Sequence, residues 1–367
     1  MDFDLFYELS VPPFGDRTED RVLCDTLEEL ELADRLGFDA AWLVEHHFMP
    51  GYSHSAAPEV FLAAASQRTR RLRLGHGIIP LPYHHPVHVA ERAATLDILS
   101  GGRLELGFGR GFSPREYAVF GVDMAASRSL TEESLAILRA AFAGSPVTFH
   151  GRHYDIDGLT VVPRVVQRPH PPLWTAAVSP DSFELAARLG IGALAGPFKP
   201  WIMVREDLRR YRRHWARLRG TGAPAPGENP RVGMTVGIYC ERNHREARAA
   251  AADGVVWFYR QLLEQSRELL ARLYTGYEYY RRMKPLRALL ERAVSLPLLE
   301  AMGMVIVGDP AHCIRRLREF ERAGVDRVLL AVGAGALSSA QVRAAMELLA
   351  AEVLPAFGRT PPRDPGG

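Results

Sequence analysis

Glu45, His46 and His47 stand together directly after a short apolar run, Ala40 to Val44. A carboxylate beside two imidazoles can hold and move protons near neutral pH, because histidine changes charge there more easily than any other side chain. In a barrel of parallel strands, catalytic groups lie at strand C-terminal ends, so the position counts as much as the residue types. Similar places recur along the chain. Gly75-His76-Gly77-Ile78 closes the run that begins at Leu72, and its glycines let backbone approach a planar ligand. Gly107-Phe108-Gly109-Arg110-Gly111 closes the run from Arg103 and presents a guanidinium suited to a phosphate. Its spacing is not that of a dinucleotide-binding fingerprint. Ser179-Pro180-Asp181-Ser182 puts hydroxyls and free N–H groups at a helix start, which serves either an anion or a plain helix cap. His84, His85 and His88 add imidazoles without a carboxylate or thiol at a familiar ligand spacing, so no catalytic metal is expected. No Gly-x-Ser-x-Gly elbow is present for a serine nucleophile.

These groups need a scaffold, and the apolar periodicity supplies one. Strands are expected at Phe3–Leu9, Ala40–Val44, Leu72–Ile79, Arg103–Phe108, Leu173–Ala177, Gly192–Ala195, Arg231–Cys240 and Asp326–Ala331. Helices are expected between them: Glu19–Leu36 stopped by Gly37, Pro58–Arg70, Pro86–Leu99 opening on proline, Arg128–Phe142 capped by Ser127, Asp181–Leu189, Trp201–Arg219 and Pro310–Ala323, with Ser339–Leu354 closing the chain. A small hairpin is expected from Val147 to Ile156 around Gly151-Arg152. Eight strands alternating with helices predict an α/β fold, a closed (β/α)8 TIM barrel, as one domain over residues 1–358. The segment 244–302 is too long for a simple connection between strands seven and eight. It reads as a helical insertion, either a lid or ordinary packing on the barrel. The Pro/Gly/Arg-rich tail from Arg359 to Gly367 is expected to be disordered.

The totals fit an enzyme of this size. The chain has 367 residues, 47% of them apolar, and a formal net charge of +2. Its basic residues are arginines apart from Lys199 and Lys284, and no basic stripe with interleaved aromatics marks a nucleic-acid surface. Cys24, Cys240 and Cys313 are few and far apart, which fits a reducing compartment. No signal pattern opens the chain and no run is long and apolar enough to span a bilayer, so a cytoplasmic protein without membrane or nucleic-acid partners is expected.

Several segments together resemble the bacterial luciferase-like family of flavin-dependent monooxygenases. They are Gly37 to Phe48, Leu81-Pro82 with His85-Pro86-Val87, Gly101 to Gly111, Val119 to Met124 with Ser127-Arg128, and Val307 to Pro310. The resemblance implies a dimeric TIM barrel, here a homodimer, that binds reduced FMN (FMNH2) delivered by a separate NAD(P)H flavin reductase. It implies O2 as co-substrate and a flavin C4a-hydroperoxide that oxygenates a small to medium organic substrate, by hydroxylation or Baeyer–Villiger chemistry. His46 matches the family's catalytic histidine, with Glu45 and His47 beside it, and Glu116 matches an acidic residue near the active site. Arg110, Ser179 and Ser182 match phosphate-binding positions, and Gly77-Ile78 matches a non-proline cis peptide under the flavin ring. Gly75 and Gly109 would admit the ring and ribityl chain, and Phe6, Phe48, Phe108, Phe112, Trp201 and Tyr274 would line an apolar or aromatic pocket. Two readings stand beside this one: a coenzyme F420- or FMN-dependent hydride-transfer enzyme on the same barrel, and a non-catalytic flavin-binding partner subunit. The sequence departs from luciferase α-type subunits at Gly109, where they carry cysteine, and at Val178, where they carry glutamate beside the phosphate site.

Overall fold

The computed structural model describes residues 1–144, 146–196, 199–268, 278–333 and 335–359. Eight parallel strands close on themselves: β1 (Asp2–Tyr7), β2 (Ala40–Leu43), β3 (Arg73–Pro80), β4 (Leu104–Gly109), β7 (Leu173–Ala176), β8 (Gly192–Ala195), β9 (Val232–Cys240) and β11 (Arg327–Ala331). The last strand returns to the first, with Phe3 opposite Val328. β5 (Val147–His150) and β6 (Asp155–Leu159) form the expected hairpin outside the barrel. One strand had no counterpart in the sequence reading. β10 (Val305–Gly308) pairs with the upper half of β9, while the lower half of β9 pairs with β11. β9 is nine residues long, enough to serve two neighbours in succession.

Helices cover the outside. α1 (Glu19–Leu36), α2 (Pro58–Arg68), α3 (Pro86–Leu99), α4 (Pro114–Val119), α5 (Ser127–Ala143), α6 (Pro180–Leu189) and α7 (Trp201–Arg219) precede β9. α8 (His244–Gln265), α9 (Glu278–Ala293) and α10 (Leu296–Ala301) lie between β9 and β10, and α11 (Pro310–Arg322) and α12 (Ser339–Leu348) follow. α1 ends where Gly37 takes φ +87°, a left-handed backbone that L side chains rarely adopt. α4 was not foreseen. Ser127 is the first residue of α5 rather than its cap, because a short helical turn at Met124–Ala126 runs straight into it. Arg359, expected at the head of a disordered tail, packs its guanidinium on Asp2 and Asp39; residues 360–367 lie outside the described set.

Strand alternation divides the side chains between two cores. Phe6, Trp42, Val44, Trp174, Leu194, Leu329 and Ala331 fill the lumen. A larger apolar shell joins the strands' outer faces to the helices. The lumen floor is polar and fully paired. Arg327, 1% exposed, donates to Asp4 Oδ2 at 2.6 Å and Glu105 Oε1 at 3.1 Å. Trp42 and Trp174 donate their indole N–H groups to the same two carboxylates. Because the strands are parallel, every strand ends at the opposite mouth, and the loops after β1, β2, β4 and β7 meet there. Among the described residues, no helix is long and apolar enough to cross a membrane.

Candidate active site at the barrel mouth

Glu45, His46 and His47, just beyond β2, do not act together. Val44 lies in the lumen, and alternation sends Glu45 outward and His46 back toward the lumen. Glu45, 4% exposed, meets His84 Nε2 at 2.5 Å and His47 Nε2 at 3.1 Å. Burial works against its charge, but the bonds to His47 and His84 outweigh burial and hold the carboxyl below its ordinary value. A small cavity of about 10 Å³ adjoins Glu45, His76 and His84 on the α3 side. His76 is buried there, and burial pulls its pKa down to about 4, so it stays neutral.

His46 has other company. Its Nε2 lies 3.7 Å from Glu8 Oε2 and its Nδ1 lies 3.8 Å from Glu116 Oε1. Burial alone would lower this imidazole, but the charges of Glu8 and Glu116, with a smaller share from Glu45, raise its pKa above 6.5. Glu8 and Glu116, rather than the adjacent Glu45, are therefore its main carboxylates. Phe112 sets its ring edge-on to His46 at 5.2 Å, and Tyr52 lies 5.9 Å away.

Local bonding fixes both carboxylates. Glu8 directly follows β1. The loop after β2 zips onto it, with Ser53 Oγ donating to the Glu8 carbonyl at 2.8 Å and Tyr52 Oη to Glu8 Oε1 at 3.1 Å. Burial pushes the Glu8 carboxyl up, against the opposing pull of His46 and Tyr52. Glu116 sits in the first turn of α4, whose cap is Ser113. The His47 backbone N–H donates to Glu116 Oε1 at 2.7 Å, and Tyr83 Oη donates to Oε2 at 3.0 Å. Burial raises the Tyr83 phenol, which keeps it a donor.

The glycines divide. The Trp42 ring fills the space above Gly75, so this glycine serves lumen packing, a correction to its expected cofactor role. Gly107 makes room for the His76 carbonyl. Gly77 and Ile78 are half-buried at the mouth, and the bond between them is cis. A Cβ on Gly109 would lie 2.9 Å from Ile78 Cδ1. Arg110 stands exposed on the rim. Ser179 and Ser182 form a reciprocal cap at the start of α6: Ser179 N–H donates to Ser182 Oγ at 2.9 Å, and Ser182 Oγ donates to the Ser179 carbonyl at 2.6 Å. Lys199 donates to the adjoining Val178 carbonyl at 2.8 Å.

The expected aromatic pocket is redistributed. Phe6 is in the lumen and Phe112 faces His46. Phe108 and Trp201 belong to the outer core, and Phe48 is 42% exposed. Tyr274 lies outside the described residues. His85 caps α3 and is 5.8 Å from His88, ring to ring. Among the described residues, no three His, Cys, Asp or Glu side chains are grouped to hold a metal ion. Sequence reasoning missed Glu8, Tyr52, Tyr83 and Lys199. Glu8 carried the same signal as Glu45, a charged residue closing an apolar strand.

Residues 1–327 match the luciferase-like monooxygenase family. A 4-hydroxyprotoasukamycin monooxygenase of Streptomyces nodosus subsp. asukaensis is 32% identical over 90% of this chain and 86% of its own. The oxygenase component of a flavin-dependent trigonelline monooxygenase of Acinetobacter baylyi is 27% identical over 98% of this chain and 96% of its own. Among solved structures, monooxygenase RslO1 from Streptomyces bottropensis is 28% identical with a TM-score of 0.78, covering 97% of this chain and 100% of that one. The oxygenating constituent of 3,6-diketocamphane monooxygenase from Pseudomonas putida, solved with FMN, shares the fold at a TM-score of 0.75 and 18% identity, over 97% of this chain and 98% of that one. This chain belongs to the luciferase-like monooxygenase family, as a (β/α)8-barrel oxidoreductase.

Proposed function

We propose that the barrel mouth takes up reduced FMN from a separate NAD(P)H flavin reductase and oxygenates a small to medium organic substrate with O2. The reading rests most on one observation: an imidazole bracketed by two buried carboxylates, where the strands end. The site residues fit a phosphorylated flavin in three respects. His46 Nδ1 and Glu8 Oε2 are buried polar atoms without hydrogen-bond partners beside the strand ends. Gly109 leaves open a space that a Cβ would close against Ile78. Arg110 offers an exposed guanidinium on the rim.

The flavin, when bound and reduced, supplies the electrons and the carbon at which O2 is activated. Arg110 would hold the phosphate through charge-assisted bonds, with the N–H groups that open α6 behind it. The hydroxyls of Ser179 and Ser182 are engaged in their own cap, so they reach an anion by exchanging those bonds. Gly77 and Ile78 would support the ring. His46 would transfer a proton at Nε2 or Nδ1. Phe112 and Tyr52 limit water around that imidazole.

The test is a coupled assay with FMN, a flavin reductase, NAD(P)H and a panel of hydroxyaromatic and ketone substrates. Substrate-stimulated O2 uptake matched to a product heavier by one oxygen supports the reading. Substrate reduction without O2 uptake would place the chain with hydride-transfer enzymes. Absence of turnover with intact flavin binding would make it a partner subunit.

A further inference from the structure

Glu8 has a geometry that gives it a task of its own. It follows β1 on the side of Asp4 and Phe6, and its side chain is 9% exposed. Tyr52 occupies Oε1, while Oε2 has no hydrogen-bond partner and lies 3.7 Å from His46 Nε2. The opposite ring nitrogen, Nδ1, is also unpartnered and lies 3.8 Å from Glu116 Oε1. A neutral imidazole has one donor nitrogen and one acceptor nitrogen, whereas an ionised carboxylate only accepts. Either neutral tautomer would therefore turn a lone pair toward one of the two carboxylates. Only the imidazolium presents an N–H to both.

We propose that Glu8 is a positioning residue for His46: with Glu116 on the other nitrogen, it holds the ring as an imidazolium, so that His46 enters the reaction as an acid. The catalytic half of this inference rests on the oxygenase reading; the protonation state of the ring does not. The groups facing the ring come from three segments. Glu8 directly follows β1, Glu116 lies in α4 and Tyr52 in the loop after β2, while Glu45 of that loop points away and acts only through its charge. Phe112 closes the remaining side with an apolar edge. Tyr52 is itself stacked on Phe258 of α8 at 5.5 Å, so the donor that orients Glu8 is fixed from a second element.

Histidine-selective ¹³C labelling, with His46→Gln as the assignment control, reads the His46 titration in the free enzyme by NMR. The wild-type ring is expected to titrate above 6.5. Glu8→Gln should lower that value by about one pH unit, a tenfold loss of proton affinity. Glu8→Asp should lie between the two. In turnover, the alkaline limb of the kcat profile should move down by the same interval. An unshifted His46 titration in folded Glu8→Gln overturns the proposal. So does a wild-type ring that titrates at or below 6.5. If Glu8→Gln does not fold, an unshifted Glu8→Asp overturns it equally. Because the titration needs no flavin, an enzyme inert toward FMN would refute the oxygenase reading and leave this one standing.

Discussion

Two neighbouring histidines take opposite faces and so differ in what they can do. His47 belongs to the outer cluster with Glu45 and His84, whereas His46 faces Glu8 and Glu116. His46→Ala should keep FMN binding and lose about 10²- to 10⁴-fold in product formation, with peroxide released instead; product mass and a peroxide assay check this together. Arg110→Ala should weaken FMN by about 10- to 100-fold, the value of a charged hydrogen bond, and spare riboflavin. Equal loss of both ligands in fluorescence titrations would remove Arg110 from the phosphate. His76 makes a prediction about stability. Its folded pKa, about 4, lies below the ordinary 6.5, so the unfolded chain takes the proton first. The stability it supplies is fully present above pH 6.5 and is lost as pH falls toward 4, a change of about 3 kcal/mol. Urea unfolding of wild type and His76→Leu at pH 7 and pH 4.5 should show a steeper fall for the wild type.

At the scale of elements, the placement of α8 matters most. Gly254 of α8 crosses the loop after β11 so closely that a Cβ would lie 2.6 Å from the Ala336 backbone nitrogen. The same helix stacks Phe258 on Tyr52, the donor to Glu8. Gly254→Val should push α8 away, cost about 1–3 kcal/mol, and disturb the His46 titration more than a surface substitution on α8 would; thermal melts and the same NMR titration test it. The barrel was legible in the sequence because each strand is a short apolar run set between helices of regular period. All eight barrel strands are found within a few residues of their expected bounds. β10 escaped because its four residues, Val305 to Gly308, adjoin a helix start and pair with a strand that already had a neighbour. α4 escaped because six residues show no helical period. The mouth was legible only in part. Residue types at strand ends pointed to His46, but which carboxylate meets which imidazole depends on side-chain alternation past the last paired residue. Adjacency in sequence therefore does not show that Glu45 meets His47 and that Glu8 meets His46.

At the scale of the molecule, the two ends of the lumen divide the work. The floor is a closed polar network around Arg327, with a carboxylate for every indole N–H. Burial pushes Asp4 up to about 6 even against the Arg327 charge, which shows how completely that end is desolvated. Arg327→Met would leave Asp4 without its buried cation and Glu105 with Arg73 alone, and should cost about 3–5 kcal/mol in urea unfolding, without altering the His46 titration. The mouth holds buried polar atoms without hydrogen-bond partners, His46 Nδ1 and Glu8 Oε2. The proposed reaction joins oxygen from O2 to an organic substrate at the expense of reduced FMN. Its most direct measurement is a single turnover of enzyme, reduced FMN and substrate under ¹⁸O2, read by product mass. One ¹⁸O atom is expected per product molecule, lost in His46→Ala. A product gaining two hydrogens and no label would contradict it.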